Sequence, residues 1–97
     1  MLSKIPIHVE KLRKEDLDRE ILRAAIIAEL DAINLYEQMA AMSQNKDIRK
    51  LLLDVAKEEK THVGEFQTLL VREDTEQERE LKEGKREIEE LIEHEKR

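Results

Sequence analysis

Three residues of this chain combine metal-binding chemistry with positions where charge is costly. Glu59 and His62 are three apart in Glu58-Glu59-Lys60-Thr61-His62, which puts them on one face of a helix. That face is otherwise apolar: Ile48, Leu52, Val55, Glu59, His62, Phe66 and Leu69 follow alternating steps of four and three, the spacing of a heptad seam. Glu29 is placed the same way in an earlier segment, where Leu22, Ile26, Glu29, Ile33, Tyr36 and Ala40 repeat the pattern. A carboxylate buried alone is costly, so it takes up a proton or finds a partner. Two Glu and one His on two facing stripes make a metal ion the partner that suits all three.

Two long helices must hold these residues. The first is expected from about Asp16, a plausible N-cap, to about Met42, with Glu15, Asp18 and Glu20 suiting its positive end. It carries a second apolar stripe, Ile21, Ala25, Ala28, Ala32, Leu35, Met39 and Met42, so its apolar face is too wide for one antiparallel neighbour. Ala25, Ala28 and Ala32 would let another helix come close, while Met39 and Met42 read as core fillers. Ser43-Gln44-Asn45-Lys46 is a short polar turn, and Asn45 or Asp47 can cap the second helix. So short a connection makes the helices antiparallel neighbours. Asn45 lies sixteen residues after Glu29 and fourteen before Glu59. At about 1.5 Å per residue both carboxylates sit roughly 21–24 Å from the turn, nearly level, with His62 one turn further along.

Composition agrees with a helical, self-associating chain. Charged residues make up 43% of the 97 residues and aromatics 2%, which is little core material for a lone monomer. Only two Gly and one Pro interrupt the pattern. The net charge of −6 argues against nucleic acid or an anionic membrane as a general partner. No apolar run approaches the ~20 residues that span a bilayer, and Met1 to Pro6 lacks the apolar core of a signal peptide. With no Cys there are no disulfides or thiolate ligands, which leaves oxygen and nitrogen donors.

Three regions follow. Residues 1–15 read as an N-terminal arm, in which Pro6 blocks a continuous helix, Ile5, Ile7 and Val9 form an extended stretch, and His8 is a rim histidine rather than a ligand. Residues 16–72 are the helical hairpin. Residues 73–97 are a charged C-terminal helix or linker, with Thr75 and Glu78 at capping-box spacing, Gly84 weakening the helix, and His94 solvent-exposed. Ile88, Leu91 and Ile92 make a narrow sticky face there, and a solvated, partly frayed segment is expected of an isolated molecule.

One hairpin offers only Glu29, Glu59 and His62. Four-helix di-iron carboxylate bundles use a Glu from each of two helices and Glu-x-x-His from each of two others, and this chain holds half of that set. Two copies about a two-fold axis would supply four carboxylates and two imidazoles, balance two divalent cations, and cover the over-wide apolar face. Taken singly, Glu59 and His62 could be a buried hydrogen-bonded pair, and Glu29 a residue that sets register. Their occurrence together, level across one hairpin, favours metal. Tyr36, two turns beyond Glu29, either fills core space or hydrogen-bonds a ligand carboxylate from behind.

Ala28-Glu29-Leu30-Asp31-Ala32-Ile33-Asn34-Leu35-Tyr36 and Glu58-Glu59-Lys60-Thr61-His62 resemble the ferritin-like superfamily, and more narrowly the encapsulated ferritins, over about residues 16–75. The resemblance implies an all-α protomer, an antiparallel two-helix hairpin plus a short C-terminal helix, that dimerises into a ferritin-like four-helix bundle. It implies a ferroxidase centre at the dimer interface, with Glu29, Glu59 and His62 of both subunits as iron ligands and Tyr36 close by, oxidising Fe(II) with dioxygen. It further implies a ring of five dimers that lacks a storage cavity and sits inside a cytoplasmic encapsulin shell, as free cargo or by fusion to the shell protein. Ala28 stands where relatives can carry an acidic residue, and Leu35 where they can have Trp; Asp31 is left as the candidate for iron admission. Two rival functions are a rubrerythrin-like peroxide-reducing di-iron protein, although no rubredoxin-type Cys set exists here, and a purely structural helical oligomerisation module.

Overall fold

The computed structural model describes residues 13–95, which form three helices and no strand. A single 3₁₀ turn, Lys14–Asp16, leads into α1, Leu17–Met42; α2 is Lys46–Glu73 and α3 is Thr75–Glu95. The expected extended stretch around Ile7 and the histidine His8 lie outside the described residues, as does the side chain of His94.

Local chemistry accounts for each boundary. Asp16 occupies the N-cap position of α1 but does not cap it. Its carboxylate is drawn away by Arg13 Nε at 2.8 Å and by the Arg19 guanidinium, and these two arginines hold the Asp16 acid below the usual carboxylate range. α1 closes where the Ser43 N–H reaches back to the carbonyls of Met39 and Ala40. Asn45 then caps α2: its Oδ1 accepts from the N–H groups of Asp47 at 2.9 Å and Ile48 at 3.1 Å. Only Ser43, Gln44 and Asn45 separate α1 from α2, so the two helices run antiparallel and pack along their length.

The predicted seam on α1 is packed: Ile33 and Ala40 are buried and Leu22, Ile26, Glu29 and Tyr36 half-buried, while Ala24, which lies off that seam, is buried as well. On α2 the seam differs. The residues turned to α1 are Leu52, Ala56, Glu59, Val63, Phe66 and Leu70, with Ala56 and Leu70 buried, whereas Ile48 and Leu69 are 51% and 48% exposed. Two four-three stripes overlap on α2 and share Leu52, Glu59 and Phe66. The second, with Ile48, Leu51, Val55, His62 and Leu69, lies within about 60° of arc on one flank of the hairpin. In the antiparallel arrangement the Ala25-Ala28-Ala32 stripe of α1 faces that same flank. This open apolar side is called the front face below. No large side chain is fully buried among the described residues. A buried Ile or Leu contributes about 1.5–3 kcal/mol, and Ile33 and Leu70 alone fall well short of the entropy of ordering so long a hairpin.

The expected C-terminal helix is present. It is continuous over 21 residues and carries ion pairs one turn apart, including Arg86 with Glu83 and Glu90, Lys82 with Glu78, and Lys85 with Glu89. Its cap is Asp74 rather than Thr75. The chain breaks at Asp74, where φ is −141° and ψ 90°, and its Oδ1 accepts from the Gln77 N–H at 3.0 Å. The other carboxylate oxygen accepts from Arg23 of α1 at 2.8 Å, so one side chain ends α2, starts α3 and ties both to α1. α3 packs little against the hairpin beyond this junction.

The Gln77 N–H, then Arg23, hold the Asp74 acid below its ordinary value against the opposing pull of desolvation. An acid with a lowered folded pKa stabilises fully above its unfolded pKa of about 3.9 and loses that contribution as pH falls through the folded value. Amide exchange at the start of α3, corrected for intrinsic rates, is therefore expected to accelerate as pH drops below about 4. In Asp74→Asn that acid-side acceleration should disappear; an unchanged pH profile would show that this junction does not depend on the carboxylate.

Candidate metal centre

Glu29 comes from the middle of α1, Glu59 and His62 from the middle of α2, and the hairpin brings all three together. One ligand atom from each lies within 4.8 Å of the others. His62 Nδ1 is 3.5 Å from Glu29 Oε2 and 3.4 Å from Glu59 Oε2. The two carboxylates are mostly shielded, each 19% exposed, while His62 is 44% exposed and stands on the front face. The centre thus opens onto the apolar flank of Ile48, Leu51, Val55 and Leu69.

The protein alone does not satisfy this cluster. Glu29 Oε2 is buried and has no hydrogen-bond partner. The approach of His62 Nδ1 to either carboxylate is longer than a good N–H···O bond of about 2.9 Å. An unsatisfied buried acceptor costs about 1–3 kcal/mol, more if charged. Donors that share one metal ion at about 2.0–2.2 Å stand roughly 3–4 Å apart, which is the spacing of His62 Nδ1 from both carboxylates. The donor set is two carboxylates and an imidazole without sulfur, and it suits iron, manganese or zinc in the divalent state. These residues fit a metal ion, and Glu29, Glu59 and His62 could hold it.

The other residues singled out stand apart from the cluster. Tyr36 is half-buried two turns from Glu29, and no hydrogen bond joins it to a carboxylate among the described residues. Asp31 is half-buried but turned about 200° around α1 from Glu29, on the outer side of the helix beside Asn34 and Leu35. Sequence reasoning missed Ala56, which is buried, and Val63, which is half-buried, beside Glu59 on α2. It also missed the Arg23–Asp74 contact, since nothing local pairs residues 51 positions apart.

An antiparallel helix pair with an inward Glu on one helix and Glu-x-x-His on the other is half of a carboxylate-rich four-helix metal bundle. The chain belongs to the rubrerythrin family, whose model, described as Rubrerythrin, matches residues 20–97. Within that family its relatives are encapsulated ferritin-like proteins. It is 65% identical over 78 residues to a ferritin-like-encapsulin shell fusion protein of Pyrococcus furiosus, covering 80% of this chain and 22% of the relative. It is 41% identical over 74 residues to an encapsulin nanocompartment cargo protein of Myxococcus xanthus, covering 76% of this chain and 56% of the relative. The chain therefore spans about a fifth and about half of the lengths of these two proteins. The crystal structure of the encapsulated ferritin domain from Pyrococcus furiosus is similar at 55% identity and a TM-score of 0.79, over 94% of this chain and 93% of that one.

Proposed function

We propose that the chain is a ferroxidase subunit that oxidises Fe(II) to Fe(III) with dioxygen for iron storage inside an encapsulin shell. The observation that carries this reading is the buried, unpartnered Glu29 Oε2 in a three-donor cluster that opens onto an unpaired apolar face. Two copies meeting front to front bring their clusters together, and the small Ala25, Ala28 and Ala32 side chains permit close approach. Four carboxylates then match the charge of two divalent ions. Iron is the substrate: each Fe(II) gives one electron to dioxygen and departs as Fe(III).

The chain's residues divide the work. Glu29 and Glu59, shielded from water, supply negative charge that favours the higher oxidation state of what they hold. His62, on the front face, supplies an imidazole nitrogen to the paired centre. In this reading Tyr36 lies near the paired centre without holding metal, and Asp31, on the outer side of α1, is the candidate for iron admission. The metal-bridged dimer is the unit of a larger ring of dimers. The encapsulin shell as partner and compartment is drawn from the relatives named above, one of them fused to its shell and one its cargo.

The family match gives the peroxide-reducing alternative a specific footing. The two are separated by oxygen-electrode traces after anaerobic loading with Fe(II). Rapid oxygen consumption, faster than the buffer rate and faster than consumption of an equal concentration of peroxide, is expected. Preference for peroxide would assign the rubrerythrin-like activity. Oxidation at the buffer rate with either oxidant would leave a structural oligomerisation module.

A further inference from the structure

The direction in which α3 leaves the hairpin rests on few contacts. Only Asp74 separates it from α2, and beyond that junction it packs little against the other helices. The side chains around Asp74 therefore set its angle.

Those side chains belong to a longer row of charges at the start of α1. Asp16, Arg19, Glu20 and Arg23 stand three and four residues apart, on one side of the helix, and span about 10.5 Å. Arg13, just before the 3₁₀ turn, donates through Nε to one oxygen of Asp16, and Arg19 donates to the other. Arg23 lies 3.6 Å from Glu20 and donates to Asp74 at 2.8 Å. The carboxylates of Asp16 and Asp74 are only 16% and 14% exposed, whereas those paired along α3 are 43% to 80% exposed. Charges shielded in this way are screened less by salt and water, so the row counts for more than the surface pairs of α3.

Arg19 serves two ends of this row. Arg19 and Arg23 are like charges four residues apart, an unfavourable spacing on a helix. Asp74 brings a carboxylate to that pair from the α2–α3 junction. The Gln77 N–H, then Arg23, then the charge of Arg19 hold the Asp74 acid below its ordinary value. Arg13, then Arg19, do the same for Asp16. Nε of Arg19 is buried without an acceptor, so the contact with Asp16 leaves this guanidinium a donor to spare. One cation thus stands in the field of two carboxylates, one at the entrance to α1 and one at the hinge of α3.

We propose that Asp16 and Asp74 compete for Arg19, and that this competition couples the segment entering α1 to the direction of α3. Arg13 sets the balance. By occupying one oxygen of Asp16 it offsets part of that charge and leaves more of Arg19 to Asp74. Loss of Arg13, or a partner that draws it to another acceptor, lets Asp16 pull Arg19 back and loosens the hinge. Loss of the Asp16 charge releases Arg19 to Asp74 and holds the hinge. The device acts without metal, so it stands or falls independently of the ferroxidase reading.

The chain has no Cys, so Gln38→Cys on α1 and Glu87→Cys on α3 supply one pair of spin-label sites at exposed positions. Pulsed dipolar spectroscopy on the full, metal-free chain, diluted with unlabelled chain so that each distance lies within one copy, reads the spread of the α1–α3 distance. Wild type is expected to give one main peak. In Arg13→Gln, and separately in Arg19→Gln, the fraction of distances outside that peak should rise about two- to fivefold, the effect of losing one partly shielded ion pair. The double variant Arg13→Gln with Asp16→Asn should return to the wild-type distribution, because no charge remains at Asp16 to draw Arg19 away; Asn is also a good N-cap residue. Wild type moved from low to high salt should broaden as Arg13→Gln does, with no residue changed. A broad wild-type distribution, an Arg13→Gln distribution equal to wild type, a double variant as broad as Arg13→Gln alone, or indifference of wild type to salt would each overturn the coupling.

Discussion

Glu29→Ala, Glu59→Ala and His62→Ala are each expected to lower the rate of Fe(II) oxidation by about 100-fold or more. In the proposed two-fold dimer every substitution counts twice, once in each half of the paired centre. The metal-free proteins should then diverge. Glu29→Ala removes the buried oxygen that has no hydrogen-bond partner, so the metal-free variant should unfold at a higher temperature, with a gain of about 1–3 kcal/mol. His62→Ala leaves that oxygen in place and opens a cavity, so it should unfold no higher than wild type. Thermal unfolding without metal beside oxygen-electrode rates checks both halves. Wild-type rates in the Glu29 and Glu59 variants would remove the metal reading and leave these residues a role in pairing specificity.

Val55→Asp should abolish oxidation although all three donors remain. Val55 is half-buried, one turn from Glu59, on the flank that carries His62. An unpaired carboxylate in the centre of a dimer interface costs several kcal/mol, enough to weaken association by about 100-fold or more. The variant should run as a monomer, keep its helices by circular dichroism, and oxidise Fe(II) at the buffer rate. A monomeric Val55→Asp protein with undiminished activity would show that one hairpin suffices and that the paired centre is wrong.

Much of the hairpin can be read from periodicity because its determinants are local. The α1 seam, the turn at Ser43 to Asn45 and the levelling of Glu29 with Glu59 follow from spacing, rise and one cap. The α2 seam does not, because Leu52, Glu59 and Phe66 belong to two stripes at once. Spacing alone cannot say that Ala56 and Leu70 are buried while Ile48 and Leu69 stay open; size misleads at Ala56, where an alanine is buried and the larger Ile48 is not. The start of α3 shows a different failure. Thr75 and Glu78 have the spacing of a capping box, yet Asp74 takes the role: its Oδ1 accepts from the Gln77 N–H, and its other oxygen accepts from Arg23, distant in sequence. The C-terminal helix could be expected from the sequence, while the continuity of α3 through Gly84 follows from Glu and Lys or Arg pairs that fall into register one turn apart. The donors were legible as a set because each is an ionisable residue in an apolar stripe, whereas the distances among them, and the orphaned oxygen of Glu29, depend on how the two stripes meet.

Anomalous diffraction at the iron edge from crystals grown or soaked anaerobically with Fe(II) tests the central claim most directly. Two iron peaks per pair of chains are expected, on or beside a two-fold axis at the front face, each within about 2.0–2.3 Å of Glu29, Glu59 and His62 donors, with both copies contributing. Iron held by one chain alone, iron at other residues, or an empty Glu29–Glu59–His62 cluster in crystals that bind iron elsewhere would contradict it.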